Sequence, residues 1–302
     1  MGPLLLLILL GLAPAAPAAQ PLIGSDVCRK CHPDVWLKFY KNPHYKTIAL
    51  ANQPPERTGC ESCHGPGRAH VEGSGNKAAI RAFSVLEPAR ILDACLDCHA
   101  GDLGKAHIRR SQHTEAGVVC TNCHSIHKPA TDKFLLARTQ REVCYGCHAP
   151  VRTEFSMPFK HRVNEGFMQC TDCHNPHGSA APSWRMAVRP RMVEQALAGE
   201  EACLKCHSDK RGPFVFEHTA VRIEGCETCH RPHGGPNPRL LRRPVVFTLC
   251  LECHTGAGNF GRRGTGERMQ SPAHNMADPR YHTCTLCHVR IHGSNADPLF
   301  LR

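Results

Sequence analysis

Apolar and polar positions along the chain predict few regular elements. An apolar run covers residues 4–12, and small residues and prolines follow it as far as residue 19. Such a run is too short to cross a bilayer, which takes about 20 apolar residues, and the small residues after it are typical of a signal-peptide cleavage site. We therefore expect residues 1–19 to be a signal peptide, removed on export. No later stretch is apolar enough to span a membrane.

The mature part shows helical patterning only in short patches. Residues 88–94 and 192–198 have the character of short helices. Elsewhere 25 glycines and 24 prolines divide the chain into turns, as at residues 175–178. No run alternates apolar and polar residues as a half-buried strand would. The predicted fold class is mostly irregular, with short α-helices and negligible β structure.

The composition excludes a conventional globular enzyme with a large aliphatic core. Leu, Ile, Val and Phe together make up about a fifth of the chain, and the formal net charge is +11. A polypeptide of this kind buries too little apolar surface to offset its conformational entropy. Something other than aliphatic side chains must therefore fill the interior.

The 20 cysteines all fall into one motif, C-x-x-C-H, which occurs ten times. This motif is the attachment signature of c-type haem, in which two thioethers hold the porphyrin and the adjacent histidine binds iron. The cysteines that we expect to bind haem are Cys28, Cys31, Cys60, Cys63, Cys95, Cys98, Cys120, Cys123, Cys144, Cys147, Cys170, Cys173, Cys203, Cys206, Cys226, Cys229, Cys250, Cys253, Cys284 and Cys287. The motif histidines are His32, His64, His99, His124, His148, His174, His207, His230, His254 and His288. The cofactors predicted are ten c-type haems.

Other uses of paired cysteines explain this pattern less well. Zinc sites do not require a histidine directly after every cysteine pair. A disulfide framework suits an exported protein but leaves the ten histidines without a role. Thioredoxin-like chemistry needs one such motif in a βαβ setting. Haem attachment accounts for every cysteine.

Twelve histidines lie outside the motifs, and ten of them form a regular set. Five precede every second motif and five follow those same motifs, giving one distal ligand for each iron. These candidate ligands are His44, His70, His113, His127, His161, His177, His218, His233, His274 and His292. His107 and His282 are surplus, and they compete with His113 and His274 for the role.

A distal histidine should not bind the iron of the haem attached at the motif directly before it. If His177 lies one helical turn after His174, both rings project from the same face, and one iron cannot take both on opposite sides. The same argument applies to His127 and His233. We therefore expect these histidines to bind a neighbouring haem.

Two histidines on every iron would leave no open position for a substrate. We therefore expect electron transfer and no catalytic residues, with reduction potentials below those of His/Met haems. The spacing predicts five tandem haem pairs, at residues 20–75, 76–135, 136–185, 186–240 and 241–302, in an elongated row. Roughly twenty haem propionates would offset the basic charge, so no nucleic-acid partner is predicted.

The chain resembles the DmsE-type decahaem cytochromes, which include MtrA-like and PioA-like periplasmic proteins. The segments that carry the resemblance are residues 23–32 (IGSDVCRKCH), 60–70 (CESCHGPGRAH), 170–178 (CTDCHNPHG), 210–218 (KRGPFVFEH) and 284–295 (CTLCHVRIHGSN). The resemblance implies a haem wire in the periplasm, associated with the outer membrane or inserted through it. It also implies an outer-membrane β-barrel porin, a periplasmic or inner-membrane electron carrier, and an outer-surface cytochrome or reductase as partners.

Three other functions stay open at this point. The chain could be a soluble periplasmic shuttle, a subunit of an extracellular cytochrome filament, or a multihaem reductase with one open iron. The sequence contains no C-x-x-C-K motif of the kind that would favour the reductase. The direction of electron flow and the pairing of distal histidines with haems do not follow from the sequence.

Overall fold

The computed structural model describes residues 21–50, 53–178, 202–254 and 278–302. The expected signal peptide, the predicted helix at 192–198 and the candidate ligand His274 lie outside these residues. Across the described ranges, the helices are all too short or too polar to cross a bilayer.

Short helices separated by turns make up most of the regular structure. The α-helices are α1 Ser25–Arg29, α2 Pro33–Phe39, α3 Lys46–Ala49, α4 Gly59–His64, α5 Arg68–Glu72, α6 Pro88–His99, α7 Gln112–Glu115, α8 Cys120–Cys123, α9 Gln140–Tyr145, α10 Ala149–Glu154, α11 Cys170–Cys173 and α12 Val246–Cys250. The 3₁₀-helices are Pro43–Tyr45, Pro55–Arg57, Lys77–Ala79, Leu103–Lys105, Ile108–Arg110, Ala202–Lys205, Ser208–Lys210, Cys226–Thr228, Pro238–Leu240, Pro279–Tyr281 and Cys284–Leu286. A single π-helical turn covers Ala220–Glu224.

Strand structure in the described residues is limited to one two-residue pair. β1, Phe159–Lys160, runs antiparallel to β2, Gly234–Gly235, with Phe159 opposite Gly235 and Lys160 opposite Gly234. Isolated bridges join His124 to Leu136 and His230 to Leu241, among others. The predicted fold class, mostly irregular with short helices and little strand, is confirmed.

Helix α6 contains the helix predicted at residues 88–94 and continues through the third motif to His99. Pro88 occupies its first position, where a missing N–H costs nothing. Ile91, Leu92 and Leu96 lie on its buried side. At twelve residues it is the longest helix in the described ranges, and it lines up several apolar side chains over consecutive turns.

The chain divides into two compact units, one ending at Cys98 and the other beginning at His99. In the first unit, the Glu61 carboxylate is buried and accepts hydrogen bonds from the backbone N–H groups of Ile23, Gly24 and Gly67, at 2.8–3.2 Å. This carboxylate, from α4, connects the start of α1 to the start of α5. The Tyr45 ring also lies next to three other aromatic rings, those of Trp36, Phe39 and Tyr40.

In the second unit, buried apolar side chains occur singly along the chain. They are Ile108, Val119, Leu135, Phe155, Val163 and Leu204. Several stand next to a motif: Val119 precedes Cys120, and Leu204 lies inside the seventh motif. No aliphatic core of ordinary size forms in the described residues of this unit, in keeping with the low apolar content.

Candidate haem sites

Each C-x-x-C-H motif folds into a single helical turn. In eight motifs the backbone N–H of the histidine donates to the carbonyl of the first cysteine at 2.8–3.0 Å. These histidines are His32, His124, His148, His174, His207, His230, His254 and His288. Residues three apart on such a turn lie on the same face, so the two thiols point the same way. The turn thus presents both cysteines to one side of a planar group.

At His124 and His174 the chain leaves the motif turn in an extended conformation, which corrects one premise from the sequence. His174 has φ −112° and ψ 140°, outside the helical range, and Pro176 cannot continue a helix hydrogen-bond ladder. The residues from Asn175 to Gly178 form a turn, as predicted, closed by the Gly178 N–H on the Asn175 carbonyl at 3.1 Å. His177 therefore does not lie one helical turn after His174, and that premise was wrong.

Seven motif histidines each stand opposite a histidine from outside the motifs. The ring centres are 5.9–6.4 Å apart in every pair. The pairs are His32 with His70, His124 with His177, His148 with His113, His174 with His233, His207 with His161, His230 with His292 and His254 with His218. None of these pairs joins a distal histidine to the motif directly before it.

The separation within each pair fits a metal ion between the rings. Two imidazole nitrogens that each bind a metal at about 2.0–2.1 Å place their ring centres roughly 6 Å apart. The rings also come in twos, whereas a structural zinc ion takes four ligands. With two thiols beside each pair, the donor set is that of a c-type haem with two axial imidazoles.

Hydrogen bonds to backbone carbonyls orient several of the motif histidines. Nδ1 of His64 lies 2.9 Å from the Arg81 carbonyl oxygen, and Nδ1 of His124 lies 2.7 Å from that of Phe134. His230 and His288 make the same contact with Arg239 and Leu299, at 2.9 and 2.5 Å. A proton held on Nδ1 leaves the Nε2 lone pair free for a metal. Each bond thus fixes both the tautomer and the ring orientation.

These carbonyl acceptors were missed at the sequence level, although a signal for them exists. Phe134 and Arg239 adopt left-handed φ values of 65° and 55°, and each is followed by a Leu-Leu pair, at residues 135–136 and 240–241. The repeated Leu-Leu, about ten residues after a motif histidine, marks where the chain returns to that histidine.

Three further hydrogen bonds link distal histidines to one another, and we call them the ligand clamps. Nδ1 of His113 lies 2.9 Å from the carbonyl oxygen of Pro176, and Nδ1 of His161 lies 2.5 Å from that of Pro232. The carbonyl of Ile291 accepts a hydrogen bond from His218 in the same way. The accepting residue directly precedes another distal histidine, namely His177, His233 or His292 respectively. Each clamp therefore connects histidines that face two different motifs.

Burial favours the neutral imidazole in several of these pairs. Desolvation lowers the pKa of His174, His177, His218 and His254, because the charged ring is poorly solvated there. For His292 desolvation, aided by the nearby Lys210 ammonium, lowers the pKa to about 4. A neutral imidazole is the form that binds a metal.

The first cysteines of some successive motifs lie thiol to thiol. Cys28 is hydrogen-bonded to Cys60, and this bond lowers the pKa of Cys60 to about 6 while raising that of Cys28. Cys144 and Cys170 form an equivalent pair, which lowers the pKa of Cys170 to about 7. Desolvation together with the neighbouring Cys284 raises the pKa of Cys250 to about 12. The cysteines, all within the described residues, form no disulfide. Groups attached at two such motifs would meet edge to edge.

The remaining predicted histidines have other surroundings. Nδ1 of His44 lies 2.9 Å from the Asn42 Oδ1. Of the competing residues, His113 and not His107 is the one that faces His148. The His282 ring packs on Phe247, with ring centres 4.4 Å apart.

Comparison with known proteins identifies the family. Residues 113–153, 161–212 and 218–259 match the doubled CXXCH motif family, and residues 69–125 match the cytochrome c554 and c-prime family. The multiheme cytochrome MtrA of Shewanella baltica is 33% identical over 281 residues, covering 90% of this chain and 79% of that protein. The chain belongs to the MtrA-like multihaem cytochromes. Such cytochromes bind c-type haem and transfer electrons, so the predictions of c-type haem binding and of electron transfer are confirmed.

A second relative of the MtrA-like chain is more distant. The high-molecular-weight cytochrome c of Nitratidesulfovibrio vulgaris is 26% identical over 188 residues, covering 51% of this chain and 32% of that protein. It shares part of the motif array within a longer polypeptide.

Proposed function

We propose that the chain holds ten c-type haems, each iron bound by two histidines, and relays electrons between periplasmic carriers and a partner at the outer membrane or beyond it. The observation that carries this proposal is the set of seven opposed histidine pairs, with ring centres 5.9–6.4 Å apart. Haem iron held between two imidazoles exchanges one electron between its ferric and ferrous states.

Each residue type has one task in this proposal. The 20 motif cysteines attach the porphyrins, and the ten motif histidines bind iron from one side. His70, His113, His161, His177, His218, His233 and His292 bind from the other side, each opposite the motif histidine that it faces. His44, His127 and His274 complete the set of ten distal ligands.

Full axial ligation makes catalysis at iron unfavourable, and we assign no catalytic residue. A six-coordinate iron has no position for a substrate, and two imidazoles hold its potential below that of a His/Met haem. A multihaem reductase would need one iron without a distal histidine. Each of the seven opposed pairs contains a distal histidine.

The contacts between thiols support transfer along the chain in sequence order. Cys28 lies against Cys60, Cys144 against Cys170, and Cys250 against Cys284. In each case the two motifs are consecutive, so their porphyrin edges would be neighbours. Short distances between successive sites are what a relay of single electrons requires.

Of the five sequence repeats, at residues 20–75, 76–135, 136–185, 186–240 and 241–302, the second to the fifth would then be linked by the clamps within the unit that begins at His99. The first clamp joins His113, in the second repeat, to Pro176, in the third. The next joins His161, in the third repeat, to Pro232, in the fourth. A distal ligand from one of these repeats is thus positioned by the next, which would link the haems of the second unit to one another.

The ligation is tested by removing one distal histidine. We expect His113→Ala to convert one haem in ten from low spin to high spin, since the His148 iron would lose its second axial ligand. His107→Ala is the matched control, and it should leave all haems low spin. Electron paramagnetic resonance of the oxidised protein measures both, and a pyridine haemochrome assay fixes the haem count at ten. Equal effects of the two substitutions would contradict the pairing.

The cellular role is tested by isolating the protein from its native membrane fractions. We expect it to co-purify with a β-barrel protein of the outer membrane, as the family resemblance implies. Recovery only as a free periplasmic species would favour a soluble shuttle instead. Polymers in electron micrographs of the purified protein would favour a filament subunit.

A further inference from the structure

The hydrogen-bond partner of the His233 ring differs in kind from the carbonyl groups that orient most of the other rings. Its Nδ1 lies 2.8 Å from Oε2 of the Glu154 carboxylate. Eight other candidate ligands hydrogen-bond to a backbone carbonyl, which has no net charge: His64, His70, His113, His124, His161, His218, His230 and His288. His99 also has a carboxylate nearby, but its Nδ1 is 3.8 Å from Asp102, too far for a hydrogen bond.

The other two clamps place a lysine beside the equivalent histidine. Near His177, the acidic Asp102 is paired with Lys105. Near His292, Asp209 is paired with Lys210 at 2.7 Å. In both cases the lysine ammonium offsets the charge of the carboxylate beside it. At His233 the arrangement differs, because the Glu154 carboxylate itself contacts the imidazole, with Oε2 2.8 Å from Nδ1.

The contact is built into the fold around Glu154. Helix α10 begins directly after His148, with Pro150 in its first turn, and ends at Glu154. The backbone carbonyl of Glu154 approaches Gly234 so closely that a Cβ there would lie 2.2 Å from its oxygen. Gly234 also pairs with Lys160 in the β1–β2 ladder. The buried Phe155 ring lies 5.0 Å from the His233 ring. The chain on both sides of the hydrogen bond is therefore held in place.

A carboxylate on Nδ1 changes the ligand itself. It draws the Nδ1 proton toward oxygen and makes the imidazole a stronger donor at Nε2. It also places a negative charge next to the ligand, which would stabilise the ferric state of a bound haem, since that state carries one more positive charge. The Nδ1 proton would stay on His233 when such a haem takes up an electron.

We propose that Glu154 lowers the reduction potential of the haem bound by His174 and His233, relative to the two haems bound at the equivalent places in the other clamps, those of His124 with His177 and of His230 with His292. This proposal rests on the proposed ligation of His174 and His233 to one iron. It makes Glu154 a tuning residue that acts through His233, and it places a low-potential site in the middle of the array.

The substitution Glu154→Gln tests the proposal in the full, haem-loaded chain. Glutamine keeps the shape and one acceptor oxygen but removes the charge. In a redox titration followed by visible absorption and electron paramagnetic resonance, we expect one haem equivalent in ten to become easier to reduce. The expected change is about tenfold in its ratio of reduced to oxidised form at a given potential, or about 59 mV for one electron.

Glu165→Gln is the matched control. Glu165 is a carboxylate of the same repeat, but its partner is Lys160, at 2.9 Å, rather than an axial ligand. It should shift the titration by much less. In a His233→Met background, Glu154→Gln should shift the potential much less, because a thioether has no Nδ1 proton to donate and only the through-space effect of the charge remains. That result would show that the carboxylate acts through the ligand.

Two outcomes would overturn the proposal. A Glu154→Gln titration that superimposes on that of the original protein, with ten low-spin haems retained, refutes the role of Glu154 and leaves the ligation intact. A shift of equal size in Glu165→Gln refutes a specific action through His233. If the unsubstituted protein itself shows high-spin haem or fewer than ten haems, the ligation fails, and the role of Glu154 fails with it.

Discussion

The contacts inside each of the two units of the chain differ in kind. In the unit ending at Cys98, side chains of the polypeptide make many of the contacts: a buried Glu61 carboxylate binds three backbone N–H groups, and Ile91, Leu92 and Leu96 pack along α6. In the unit beginning at His99, buried apolar residues are isolated. The recurring contacts there are opposed histidines and the ligand clamps.

The difference indicates where the cofactor is most needed for folding. An opposed pair of histidines about 6 Å apart leaves room for a metal ion bound by both rings, and binding of that metal would contribute to the stability of the fold. The Glu61 network and the α6 face, in contrast, consist of protein groups alone. We therefore expect the second unit to depend more strongly on its haems than the first. One comparison between the units and one comparison within each unit test this.

The largest effect should come from removing a haem in the second unit. In Cys226→Ala/Cys229→Ala, the His230 haem is not attached, so His292 loses the iron that it would bind and the segment from residue 278 to 302 should open. Limited proteolysis with mass spectrometry measures this as rapid cleavage in that segment, and the haem count falls to nine.

The matched variant in the first unit is Cys28→Ala/Cys31→Ala. It should also lose one haem, but cleavage near residues 23–67 should stay slow, because Glu61 still holds the backbone there. Equal rates of cleavage in the two variants would show that both units depend on haem to the same degree.

A smaller effect is expected at a close backbone approach in the second unit. Gly234 has φ 155°, and a Cβ added there would lie 2.2 Å from the Glu154 carbonyl oxygen. We expect Gly234→Ala to destabilise this region by roughly 4 kcal/mol through backbone strain and overpacking. His233 should be displaced with it, which electron paramagnetic resonance would detect as high-spin haem.

Gly166→Ala separates strain from overpacking. Gly166 also has a positive φ, 86°, but no atom lies within 4 Å of a Cβ built there. This variant should cost only about 1–2 kcal/mol and keep every haem low spin. High-spin haem in Gly166→Ala would mean that strain alone loosens a ligand.

The sequence predicts the residues of the sites better than it predicts their partners. The cysteines and the motif histidines follow from a local pattern, because one turn of chain contains all three groups. The pairing does not. His177 follows His174 by three residues, yet it stands opposite His124, 53 residues earlier. That choice depends on the path of the chain between motifs, which is set by turns and by glycines that permit close approach.

The outer contacts of the ligands are still harder to predict. Glu154 and His233 are 79 residues apart, and no local pattern connects them. The acceptors at Pro176, Pro232 and Ile291 are backbone atoms, so side-chain identity does not mark them. In contrast, the predicted helix at residues 88–94 was confirmed, because its apolar positions follow a period that depends only on neighbours in the sequence.

The smallest of the three effects should be found in the first unit, at Glu61. Replacing it with alanine leaves the N–H groups of Ile23, Gly24 and Gly67 without their acceptor, and we expect a cost of roughly 3 kcal/mol in local stability. Hydrogen exchange of peptides that contain these amides measures the change. Glu72→Ala is the control: Glu72 pairs with Arg68 at 3.6 Å on the surface, and such pairs contribute less than about 1 kcal/mol. The haem count should stay at ten in both variants, since Glu61 holds backbone and binds no ligand ring. Loss of a haem in Glu61→Ala would mean that the first unit, too, depends on its cofactors for this contact.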